Sequence, residues 1–127
     1  MSTGISTYLA NAWFDALGNA TSFSVATVYI QLHIGDPGAA GTANTATETT
    51  RKSCSFAAAS GGAIASDADV TWTNIAGSQD ATHFSLWDAS SSGNFLGSGT
   101  ITANAYSAGD TYTIPSGQLT LSLTVAA

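Results

Sequence analysis

The stretch "QLTLSLTV", residues 118 to 125, alternates without a fault: Leu119, Leu121, Leu123 and Val125 fall on one side, Thr120, Ser122 and Thr124 on the other. Only an extended chain with one face on a core satisfies a period of two. The same pattern occupies "TVYIQLHI", where Val28, Ile30, Leu32 and Ile34 oppose Tyr29, Gln31 and His33. Further short segments rich in Thr, Val and aromatics, bounded by Gly, Ser, Asn or Asp, read as strands: "KSCSFAAA", "DVTWTNI", "THFSLWD", "NFLGSGTIT" and "DTYTI". Strands separated by turns roughly every ten residues predict a mainly β chain, an antiparallel β-sandwich of jelly-roll-like type. Turn chemistry predicts one hairpin at "DASSSGN", between Trp87 and Phe95, and a second at "PSG", between Ile114 and Gln118. The expected shared core is Val28, Ile30, Leu32, Phe84, Leu86, Leu119, Leu121 and Leu123.

One segment breaks the period. Ile5, Leu9, Trp13 and Leu17 recur every four residues, which predicts a single N-terminal α-helix over about 5–17, with Ser2 or Thr3 as N-cap and Gly18 as C-cap. Its apolar stripe is expected to lie on the sheet. The 127 residues suit one domain, 1–127, with no fixed-period repeat or linker to divide it.

Charge narrows the function. Only 8% of residues are charged and the formal net charge is −6, so a phosphate-binding surface, and with it nucleic acid as a partner, is excluded. No run has the apolar length of a membrane span, and "MSTGIST" has neither the basic nor the apolar part of a secretion signal, so no membrane involvement is expected. Cys54 has no second thiol for a disulfide or a thiolate metal site. The only cations, Arg51 and Lys52, stand side by side; they answer either internal carboxylates such as Glu48 and Asp67 or a partner surface, and are the partner-contact candidates.

Two His/Asp pairs raise the possibility of chemistry: His33 with Asp36, and His83 with Asp88. Asp36 precedes Pro37 and Gly38, a combination that turns a chain sharply through an Asx bond and a fixed φ, so the structural reading explains it. Two ligands are too few for a closed metal site, no spacing matches a metal signature, and no nucleophile context surrounds the serines. "GNFLGSG" lacks the helix that a dinucleotide fingerprint needs, and the sequon at Asn19 carries no weight without secretion. The expectation is no enzyme, no cofactor and no metal.

Three pieces in order, "TVYIQLHIGDPG", "SFAAASGGAIASDADVTWTNI" and "THFSLWDASSSGNFLGSGTI", with "AGDTYTIPSGQLTLSL" at the close, resemble a family of small tailed-bacteriophage structural proteins of the tail-fibre, minor tail or head-decoration kind. The resemblance implies a virion component displayed on the particle, with a β-sandwich and no enzymatic residues. His33, Asp36, Pro37, Gly38, Trp87, Asp88, Asp110 and Pro115 carry over only as turn and packing positions. Size together with the resemblance leads to the expectation of a cement protein, a homotrimer that stabilises the head by bridging major capsid subunits. The alternative is a tail or fibre module that binds a host receptor or glycan, which exposed aromatics among Tyr29, Trp72, Tyr106 and Tyr112 would favour.

Overall fold

The computed structural model describes residues 3–126. One helix, α1 (Thr7–Gly18), precedes eight strands: β1 (Val28–His33), β2 (Lys52–Cys54), β3 (Ala63–Ala65), β4 (Val70–Trp72), β5 (Gln79–Trp87), β6 (Phe95–Tyr106), β7 (Tyr112–Ile114) and β8 (Thr120–Ser122). All pairings are antiparallel, in one four-stranded sheet of order β2-β1-β5-β6 and two ribbons, β3-β8 and β4-β7. The protein is thus mainly β with a sandwich-like arrangement, its second layer divided into two short ribbons.

Alternation places the core between these layers. Ile30, Leu32, Phe84, Leu86, Leu119 and Leu121 are buried together with Trp72, Ile75, Tyr106 and Tyr112, and Val28 packs at the margin. Each fully buried Leu, Ile or Phe contributes about 1.5–3 kcal/mol. The rings of Trp72, Tyr112 and Tyr106 pack in sequence at a tilt, with centroids 6.0 and 5.1 Å apart. These three aromatics therefore belong to the core and not to an exposed platform.

Leu123 and Val125 depart from the expected core: they are 48% and 55% exposed. Their partner runs out. β3 pairs with β8 only from Ala63 to Ala65, and after the Leu123 N–H meets the Gly62 carbonyl the tail has no strand to hold its apolar side inward. β3 itself went unread in the sequence, because "AIA" amid Gly, Ala and Ser has too little β-branched character to stand out. "PSG" also differs from expectation. It forms a tight turn, with the Gln118 N–H donating to the Pro115 carbonyl at 3.2 Å, but β7 pairs with β4 and β8 with β3, so the turn passes the chain between ribbons. The "DASSSGN" turn does close a hairpin, β5 to β6, with Trp87 opposite Phe95.

The helix begins later than its apolar spacing predicts. Residues 4–6 run along the edge of β6 instead: Ser98 N–H donates to the Gly4 carbonyl (2.8 Å), Ser6 N–H to that of Leu96 (2.9 Å), and Ile5 bridges to Gly97. Ser6 then caps α1 by accepting from Leu9 N–H at 3.0 Å. Thr3 lies upstream of the cap and Ser2 outside the described residues; Gly18 is the last helical residue, and Asn19 caps the end by donating to the Asp15 carbonyl. Of the apolar stripe, only Leu9 is buried; Trp13 is 37% and Leu17 81% exposed.

Candidate functional site

The two histidines of the sequence reading do come together, as direct cross-strand neighbours of β1 and β5. Their aspartates do not join them. Asp36 Oδ1 accepts from Gly38 N–H at 2.8 Å, an Asx turn in which Gly38 takes φ 79°. Asp88 holds the β5–β6 hairpin by accepting from the backbone N–H (2.7 Å) and the side-chain amide (2.9 Å) of Asn94. Among the described residues no cluster of three or more His, Cys, Asp or Glu side chains is placed to hold a metal ion.

His33 is fully buried beneath the 36–45 loop, whose backbone it helps to fix. Its Nδ1 lies 2.8 Å from the Ala43 carbonyl and its Nε2 2.7 Å from Ser85 Oγ, while Trp87 Nε1–H donates to the same Oγ at 2.7 Å. Because the Ala43 carbonyl can only accept, Nδ1 carries the proton; in the neutral ring Nε2 then accepts from the Ser85 hydroxyl, which in turn accepts from the Trp87 indole. Burial lowers the His33 pKa, against the pull of the Ala43 carbonyl, and the charges of His83 and Arg51 lower it further, so the ring is neutral. A Ser–His contact of this length is also the first half of a nucleophile–base pair. Here Ser85 is fully buried, its hydroxyl is engaged on both sides, and Nδ1 faces a carbonyl where a catalytic orienting group would be a carboxylate. The arrangement ties strand to loop.

The loop is pinned along its length. Ala43 N–H donates to the Pro37 carbonyl, Ile34 N–H to that of Asn44, and Ala46 N–H to that of Leu32, with Pro37 buried at the corner. Beyond it, Glu48 is buried and accepts from Ala76 N–H (3.0 Å) and Thr50 N–H (3.1 Å). Burial pushes this carboxyl up, but the two N–H groups and the charge of Lys52 outweigh it and hold the pKa below the usual range.

Arg51 turns inward onto its own chain. Its guanidinium sits 4.1 Å from the centre of the Trp87 ring and donates to the carbonyls of Ala89 (2.9 Å) and Ser92 (2.7 Å), while Nε donates to Gln31. None of these acceptors is a carboxylate; the cation braces the hairpin, next to Asp88. Lys52, on the edge strand β2, is half-buried. Asp110 accepts from Ser107 N–H at 2.9 Å in the turn before β7, and Pro115 occupies the turn after it.

Ser85 and Ser66 are the polar residues that sequence reasoning missed; Glu48, named there as an internal carboxylate for the cations, feels the charge of Lys52 but is held chiefly by backbone N–H groups. Ser66 Oγ accepts from Gly117 and Leu119 N–H at the crossover between ribbons. The only signal for Ser85 was its place between His83 and Trp87 on one strand face.

The remaining feature is an apolar groove of about 440 Å³ between α1 and the sheet, with Leu9, Trp13, Phe56, Leu121 and Leu123 among its walls and no charged side chain. Together these features define a small antiparallel β module whose polar side chains shape the fold and whose open groove is uncharged. The chain belongs to the family described as Podophage GP4 fiber I protein gp80, whose model matches residues 4–122. It is a structural component of a tailed-phage virion. No curated protein matches it.

Proposed function

We propose that this chain is a structural module of a virion fibre, held in place by protein neighbours and acting without catalysis. The observation that carries this reading is the fibre-family match, which runs from the first residues on the β6 edge to the end of β8. Of the two finer readings that the sequence allowed, the family's description favours the fibre over a cement homotrimer bridging major capsid subunits. The His33–Ser85 pair supports the non-catalytic part, since both groups are sealed from solvent. Binding of a host glycan, if fibre attachment includes it, does not use Trp72, Tyr106 or Tyr112, which are core residues. Of the two cations, Arg51 is engaged within its own hairpin, and the charge of Lys52 acts on the buried Glu48.

Immunogold labelling of intact particles with an antibody against the chain tests the reading. Label confined to fibres, at a few to tens of copies per particle, is expected. Label spread over the head at hundreds of copies would replace the fibre with the cement reading.

A further inference from the structure

The helix α1 divides its apolar residues: Leu9 is buried in the core, while those of the C-terminal half face out. Leu17, four positions after Trp13 and three after Phe14, shares a face with both, and the three are 81%, 37% and 70% exposed. Next to them opens the groove floored by Leu9 and Leu121, to which Trp13 is also a wall. Across the groove stand Leu123, 48% exposed, and Val125, 55% exposed, which lies against Gly62 in the same wall. A ridge and a groove, both apolar, are therefore adjacent on one face of the molecule.

We propose that this face is a self-association surface, in which the Phe14–Leu17 ridge of one copy seats in the groove of a second copy of the same chain. Three observations choose that occupant. The exposed parts of the five side chains amount to on the order of 600 Å², the share that each partner of a specific interface buries at the lower end of the range. The chain carries a net charge of −6, so two copies repel, and the repulsion is least where carboxylates are absent from the contact. This face meets that condition: no Asp or Glu lines the groove, and Asp15, the one acidic residue of α1, points to the side of the helix away from Leu17. Finally, one copy offers both the ridge and its receptor, which is what a homo-oligomeric contact requires. A mutual arrangement closes as a pair and a head-to-tail one as a ring, and both cover the same residues. The contact holds wherever the virion carries the chain, so it stands or falls apart from the fibre reading.

Sedimentation equilibrium of the full chain tests it. The wild type is expected to show a concentration-dependent mass at a multiple of 12.7 kDa. Leu17→Glu and Phe14→Glu, on the ridge, and Leu123→Glu, on the opposite wall, are each expected to weaken association at least tenfold, while Ser91→Glu at the hairpin tip leaves it unchanged. Circular-dichroism melts monitor folding, and the exposure of Phe14 and Leu17 means that their replacement leaves the core intact. A wild type that stays monomeric up to about 1 mM, the weak end of specific affinity, overturns the proposal. So does an oligomer that persists in folded Leu17→Glu, or a monomeric chain whose ridge is protected only by a different virion protein.

Discussion

His33 joins a strand, a loop and a neighbouring strand through two hydrogen bonds and a buried ring. Removing the Ser85 hydroxyl leaves Nε2 and the Trp87 N–H without a partner in a dry site, and orphaned buried groups cost about 1–3 kcal/mol. Ser85→Ala and His33→Ala are each expected to lose stability in that range, read from urea unfolding midpoints at unchanged slope. Titration has a definite sign here. The folded-state pKa of His33 lies below its unfolded value of about 6.5, so the unfolded chain binds the extra proton first. Its contribution is complete above pH 6.5 and declines as the pH falls through the lowered folded value. Glu48, also depressed, adds a second decline beginning below about pH 4.3. Melting temperature should thus be flat above pH 7 and fall on acidification, with the decline that begins near pH 6.5 removed in His33→Ala. Cys54 is half-buried and its thiol is pushed up to about 12 by burial, so iodoacetamide at pH 8 should label it only after denaturation. The Asp-Pro-Gly corner at residues 36–38 was legible because turn chemistry is local. Ser85 and the N–H partners of Glu48 were not, because a side chain gives no sign of the backbone N–H or ring that engages it until the fold is in place.

At the scale of elements, β6 shows why a glycine pair that resembles half of a nucleotide fingerprint is structural. A Cβ on Gly99 would lie 2.8 Å from the Phe84 ring, which is fully buried and cannot retreat. On Gly97 it would lie 3.1 Å from the Gly4 carbonyl and 3.2 Å from Leu121 Cδ2. The glycines admit the N-terminal segment and β8 onto the long strand. Gly99→Ala is expected to destabilise by about 1–3 kcal/mol through overpacking, and Ser6→Ala by about 1 kcal/mol through loss of the cap, both measured by thermal unfolding. Strand existence was legible wherever Thr, Val and aromatics alternate; strand ends were not. Leu123 and Val125 continue the period of Leu119 and Leu121, but pairing, which decides burial, stops with β3. The helix shows the converse: spacing of four identified it, yet Ile5 went to the sheet edge, where backbone hydrogen bonds to β6 replaced another helical turn.

The whole molecule holds two cations and eight carboxylates, and Arg51 is taken up within its own hairpin. Only Lys52 remains as a cation for ion pairs with neighbours, and the exposed carboxylates are scattered along the chain, so assembly into the virion should depend only weakly on salt: dissociation of the chain from particles should change little between 50 mM and 500 mM NaCl, conditions that screen exposed ion pairs strongly. The overall class, an antiparallel β module with one helix, was legible because periodicity and turn residues report on the entire chain. The place in the virion was not, since no single side chain encodes it. Cryo-electron microscopy of the native particle, with density assigned by the β2-β1-β5-β6 sheet and α1, measures that place directly. Density for this fold within a fibre is the predicted result; the same fold seated between capsomers of the head, with fibres lacking it, would contradict the account.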